Sequence, residues 1–142
     1  MTIAAILRGK GAALVTVSPE TTVAGAIALL AEHRIGAVPV VTEGVVRGIF
    51  SERDVVRLLA GPDSEVLQKR VQDVMTAPAV TAAPADAVLA ALSLMTQRRI
   101  RHLPVIEDGE LRGIVSIGDL VKYRIERIEA EAAAMRDYIQ QV

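Results

Sequence analysis

The sequence predicts an α/β (α+β) fold made of two β-α-β-β-α repeats followed by a C-terminal helix. Three observations carry this expectation. Residues 15–56 match residues 80–121 at a constant offset of 65 with no insertion, and 17 of the 42 positions are identical. Within each copy the apolar residues change from helical to strand spacing at corresponding points. Beyond the second copy they settle into a 4-3 rhythm, which places them on one face of a helix.

The elements follow in order. Leu14–Val17 and Ala79–Ala82 read as short strands that end before Pro19 and Pro84. Val23, Ala26, Ile27 and Leu30 fall at helical spacing, as do Val88, Ala91, Leu92 and Met95, with Thr22 and Asp86 as N-caps. The apolar runs Ala37–Val41 and His102–Ile106 then read as strands. Glu43-Gly44 and Asp108-Gly109 break them with the chemistry of a tight hairpin turn, which needs positive φ at both central residues. The partner strands are Val45–Phe50 and Glu110–Val115, and each runs through Ser51 or Ser116 into a second helix. Such a unit leaves one sheet face uncovered, and the second copy supplies a cover. Gly61-Pro62-Asp63-Ser64 closes the first repeat, Gln68–Met75 connects to the second, and residues 1–13 correspond weakly to that connection. In the tail, Val121, Ile125, Ile128, Ala132, Met135, Ile139 and Val142 form a heptad seam suited to another subunit.

Composition narrows the function. A chain of 142 residues buries about 68% of its unfolded surface, enough for a real core. Apolar residues make up 51% but aromatic ones only 2%, so the core is aliphatic and recognition by base stacking is disfavoured. A net charge of −1 gives no general attraction to nucleic acid. The absence of cysteine excludes disulfides and thiolate metal sites. The N-terminus lacks the charged and apolar regions of a signal peptide, and no 18-residue apolar run exists; a cytoplasmic protein with no membrane span is expected.

Few residues are candidates for chemistry. Ser51-Glu-Arg-Asp54 and Ser116-Ile-Gly-Asp119 stand where a strand turns into a helix. One reading is a capping box, although Asp reaches back less well than the usual Glu. The other is a nucleotide site. A helix N-terminus and a hydroxyl suit phosphate, and a carboxylate one turn on accepts from a ribose diol. Repeat two carries Arg101-His102 where repeat one has Gly36-Ala37. Arg53 is a cation at a helix start, against the dipole, which favours an anion nearby. His33 and His102 have no metal-ligand spacing, and no nucleophile–base set appears. Gly9-Lys10-Gly11 half-matches a dinucleotide loop, but no strand precedes it and the third glycine is missing.

The segments Ala37-Val-Pro-Val, His102-Leu-Pro-Val, Gly48-Ile-Phe-Ser-Glu-Arg-Asp54, Gly113-Ile-Val-Ser-Ile-Gly-Asp119 and Val74-Met-Thr76 occur in a recognisable order. The doubled unit they mark resembles a tandem cystathionine-β-synthase (CBS) domain pair, or Bateman module, over residues 5–121. With its C-terminal helix the chain is similar to small stand-alone bacterial CBS-pair proteins. The resemblance implies pseudo-twofold packing of repeat one (5–60) on repeat two (76–121), joined by 61–75 and followed by a helix over 122–142. It implies a non-enzymatic regulatory module that binds AMP, ADP, ATP, NAD(H) or S-adenosylmethionine in the cleft between repeats, with no obligatory cofactor. Ser51 and Ser116 would face phosphate, and Asp54 and Asp119 would hold ribose. Arg53, Arg101 and His102 would contact phosphate, and backbone near Ile35–Val38, which includes Gly36 and Ala37, and near Ile100–Leu103 would read adenine. Thr81 completes the candidate set. Because Arg101-His102 belongs to repeat two, the site with Ser116 and Asp119 is expected to be the stronger. A homodimer and an unidentified regulated protein are the expected partners, without nucleic acid or membrane. The rival expectation is an interaction module that binds no nucleotide.

Overall fold

Each repeat is organised around a two-stranded antiparallel hairpin in a computed structural model that describes residues 1–11 and 13–141. Strands β1 (Ala37–Thr42) and β2 (Val45–Ser51) form the first; β3 (His102–Glu107) and β4 (Glu110–Ser116) form the second. The expected turn chemistry is present: φ is 50° at Glu43, 80° at Gly44, 52° at Asp108 and 78° at Gly109. Both hairpins carry the same bulge. Val40 pairs with Gly48 and Val41 with Val46, which leaves Arg47 between rungs, and Arg112 repeats this in the second hairpin.

The strands expected at Leu14–Val17 and Ala79–Ala82 shrink to single parallel bridges, Val17 to Val40 and Ala82 to Val105. The cause is proline. The Val17 amide donates to the Pro39 carbonyl at 3.1 Å and the Ala82 amide to the Pro104 carbonyl at 2.9 Å. The preceding rung would need an N–H from Pro39 or Pro104, and neither has one.

Helices α2 (Val23–His33) and α5 (Val88–Arg98) follow these bridges. Thr22 caps α2 by accepting from the Gly25 amide at 3.1 Å. The corresponding expectation for Asp86 is corrected. Helix α5 starts one residue later, after Ala87, because the Asp86 carboxylate is taken by the Ala83 amide at 2.8 Å. Both helices end on an arginine in the left-handed region, Arg34 and Arg99. Helix α3 (Glu52–Ala60) closes repeat one, and α6 (Ile117–Gln140) closes repeat two and continues into the tail.

Two short helices are exchanged between the repeats. Helix α4 (Val71–Val74), between them, buries Val71 in the core of repeat one with Val23, Leu30, Val40 and Phe50. Helix α1 (Ile3–Lys10), ahead of repeat one, buries Ile3 and Ile6 in the core of repeat two with Val88, Met95, Leu103 and Leu120. Residues 5–10, assigned from sequence to repeat one, thus pack on repeat two. Burying a side chain such as Ile3, which is fully covered, contributes about 1.5–3 kcal/mol. Backbone hydrogen bonds repeat the exchange: Val71 amide to Thr21 carbonyl at 2.8 Å, and Ile3 amide to Asp86 carbonyl at 2.9 Å. The repeats meet through β2 and β4.

Helix α6 is one continuous element of 24 residues. Leu120 is buried, whereas Ile125, Ile128, Met135 and Ile139 are exposed along the expected seam. Val142, its last position, lies outside the described residues. No helix is long and apolar enough to cross a membrane among the described residues.

Candidate nucleotide cleft

The turn from β2 into α3 is built by the capping box. The Ser51 amide donates to Asp54 Oδ2 at 2.9 Å, and the Asp54 amide donates to Ser51 Oγ at 3.4 Å. Ser116 and Asp119 repeat the box at 2.8 and 3.0 Å. Aspartate therefore does reach back, and the capping reading holds at both motifs. It does not exhaust Asp54. That side chain is 7% exposed, and it also accepts from the Ser51 hydroxyl and the Thr76 hydroxyl, each at 3.2 Å. Two of its three side-chain donors are thus rotatable hydroxyls, which can re-aim when a ligand offers its own donors.

Asp54 lies on a cleft of about 710 Å³ between the repeats. Ser51, Glu52, Arg53, Asp54 and Arg57 line one side from repeat one, with Gly36 and Ile49. Arg98, Arg99, Ile100, Arg101 and His102 line it from repeat two, with Thr76 and Val80. Five arginines face two carboxylates, so the cleft attracts anions, and its low-dielectric walls focus that field. Ile49, Val80 and Ile100 supply apolar surface. The two sides touch: a Cβ on Gly36 would come within 3.0 Å of the His102 ring, so glycine makes room for the imidazole.

This geometry corrects the expected grouping. Arg101 and His102 line the cleft that holds Ser51 and Asp54, the motif of the other repeat. The end of α5 and the start of β3 face α3 across the repeat interface. Arg53 makes the same crossing. Its guanidinium donates to the Arg99 carbonyl at the end of α5. The cation leaves its own helix start and sits where a helix dipole favours it, which resolves the conflict noted in the sequence without invoking an anion.

Burial lowers the His102 pKa below the ordinary 6.5, against an opposing pull from Glu52 and Asp119 that does not offset it. Asp119 is held below the usual carboxylate range. Burial pushes its pKa up, but bonds from Lys10 and Ser116 outweigh this. Lys10 Nζ stands 2.7 Å from Asp119 Oδ2.

The remaining expected residues fall elsewhere. Ala37 is buried and pairs in register with Ser51. Thr81 lines a separate cavity of about 250 Å³ with Val45, Arg47, Ile106 and Gly109, at the hairpin ends. Sequence reasoning missed Arg98 and Arg99, although the run Arg98-Arg99-Ile100-Arg101 is legible as a cation cluster, and it missed Thr76 as an Asp54 partner. Among the described residues no three His, Cys, Asp or Glu side chains are placed to hold a metal.

The family model described as CBS domain matches residues 12–61 and 71–126. The CBS domain-containing protein YhcV of Bacillus subtilis is 38% identical over 120 residues, covering 83% of this chain and 84% of its own. The CBS-domain containing protein ATU1752 of Agrobacterium tumefaciens superposes with a TM-score of 0.83 at 42% identity, over 87% of this chain and 99% of its own. CBSX2, solved in complex with AMP, superposes with a TM-score of 0.75 at 28% identity, over 88% of this chain and 96% of its own. With both repeats matched in turn by one family and the fold shared over 87% of the chain, this chain belongs to the CBS-domain family.

Proposed function

We propose that the chain is a non-enzymatic regulatory module that binds one class of small molecule, adenosine-containing nucleotides such as AMP, ADP, ATP or NAD(H). The carrying observation is that one cleft holds a buried carboxylate, Asp54, and a cluster of cations, Arg98, Arg99 and Arg101. A ribose diol is a double donor and fits the first; phosphate is a multiple acceptor and fits the second. The apolar residues Ile49, Val80 and Ile100 give adenine a surface to lie on. The AMP complex of the related CBSX2 supports this ligand class. Signalling would follow from the position of the cleft: a ligand there touches both repeats and biases how they sit together.

Isothermal titration with AMP, ATP and NADH tests the reading. Binding by the wild type is expected, with Asp54→Asn weakening it roughly ten- to hundredfold through loss of charge-assisted hydrogen bonds. No binding of any of the three refutes it.

Assembly follows from α6. Its exposed Ile125, Ile128, Met135 and Ile139 form an apolar stripe suited to a second copy in a homodimer.

A further inference from the structure

The two Ser-x-x-Asp carboxylates have different neighbours. Beside Asp54, Thr76 does two jobs: its amide donates to the Ile49 carbonyl at 2.9 Å and its hydroxyl to Asp54 Oδ1 at 3.2 Å. In repeat two both jobs fall to one ammonium. Lys10 Nζ donates to the Ile114 carbonyl at 2.9 Å and to Asp119 Oδ2 at 2.7 Å. A hydroxyl is neutral and can turn away when a ligand arrives. An ammonium on a carboxylate forms a charge-assisted bond that a neutral diol must break.

Lys10 is delivered by the fold. It is the last residue of α1, whose Ile3 and Ile6 are locked in the core of repeat two. Leu7 lies so close to β4 that a Cβ on Gly113 would come within 2.7 Å of its Cδ2. The side chains of Lys10 and Asp119 are 37% and 26% exposed, so the pair sits at the surface of the repeat.

A second, independent difference points the same way. The run Arg98, Arg99, Arg101, His102 serves the Asp54 cleft. Its counterpart at the offset of 65 is His33, Arg34, Gly36, Ala37, with a single arginine. The Asp119 side thus has little to hold phosphate and a cation already on its acid.

We infer that Lys10 closes the Asp119 position against a ribose, so that each chain takes one nucleotide, at Asp54, and the other acid serves to latch α1. The asymmetry is the reverse of that expected from the position of Arg101-His102 in the chain. The inference rests on the nucleotide reading above.

Titration calorimetry with AMP on the full chain decides it. The wild type is expected to bind one AMP per chain. Lys10→Met is expected to bind two, with the first affinity unchanged, and Lys10→Met combined with Asp119→Asn returns to one. Carbon-detected NMR of the Asp119 carboxyl gives a readout independent of nucleotide: its titration shifts to higher pH in Lys10→Met. Two sites in the wild type, one site in Lys10→Met at millimolar AMP, or an unmoved Asp119 titration each overturn the inference. A wild type that binds no AMP fails at the nucleotide reading itself and takes this inference with it.

Discussion

Replacing Asp54 by alanine should destabilise the protein more than replacing Asp119, although the two residues occupy equivalent places. Each substitution dismantles a capping box, at a cost of about 1 kcal/mol. At Asp54 the loss continues. The side chain is 7% exposed, and its removal leaves the Thr76 hydroxyl without an acceptor in a part-buried place, about 1–2 kcal/mol. It also removes a carboxylate from among the arginines of the cleft. At Asp119 the further loss is an ion pair with Lys10 that is partly exposed, worth about 0–1 kcal/mol. The expectation is about 2–3 kcal/mol for Asp54→Ala and about 1–2 kcal/mol for Asp119→Ala. For a chain of this length that gap of about 1 kcal/mol separates the melting temperatures by roughly 2–4 °C. Urea denaturation with matched m-values, checked by thermal melting, measures it. Equal losses, or a larger one for Asp119→Ala, would refute the claim that the Asp54 carboxylate is the more deeply integrated.

Other outcomes are expected at once. Because burial depresses the His102 pKa, the unfolded chain binds a proton before the folded one as pH falls; stability is full above about pH 6.5 and declines below it. The melting temperature should therefore fall less between about pH 7.5 and pH 5.5 in His102→Gln than in the wild type, and parallel curves would exclude the effect. Gly48→Ala places a Cβ 2.7 Å from both Met75 Sδ and the Thr76 carbonyl oxygen, whereas Gly113→Ala meets the movable end of Leu7. The first should cost about 1–3 kcal/mol and the second clearly less, by chemical denaturation; the reverse order would contradict the packing described. Ile128→Glu with Met135→Glu sets charges in the exposed stripe of α6. Light scattering should show a dimeric wild type and a dissociated double variant. A monomeric wild type refutes the dimer, and an equally stable variant dimer removes α6 from its interface.

The hairpins were legible because turn chemistry is local. Glu43-Gly44 and Asp108-Gly109 demand positive φ whatever surrounds them, and they have it. The first strand of each repeat was over-read because its fate depends on a proline 22 to 25 residues away in the chain but adjacent in space. The cap of α5 was misplaced because Asp86 had a nearer amide to satisfy. The site divides in the same way. Ser51 and Asp54 stood out because duplication repeats a polar pair that packing does not require. Their companions did not, since alignment at a fixed offset reports which residues are equivalent, not which are adjacent. It pairs Arg101 with Gly36, whereas the fold brings Arg101 to Asp54's cleft. The pairing of Lys10 with Asp119 was illegible for a further reason: Lys10 lies outside the repeated frame, in a segment whose helix folds against the far half of the chain.

That exchange of helices bears on how the chain is made. Ile3 and Ile6 precede repeat one, yet the core they complete ends at Leu120. During synthesis this apolar helix must wait, uncovered, while repeat one forms and until repeat two emerges. Repeat one carries its own α4 within reach and can close earlier. The natural order of assembly is then repeat one first and repeat two last, with α1 drawing the beginning of the described chain onto its later half. Long separation between contacting residues slows folding. It also makes a cut between the repeats asymmetric in effect: separating residues 1–75 from the rest leaves repeat one with its α4 but repeat two without the helix that seals it. The latch at Lys10 is the final turn of that seal.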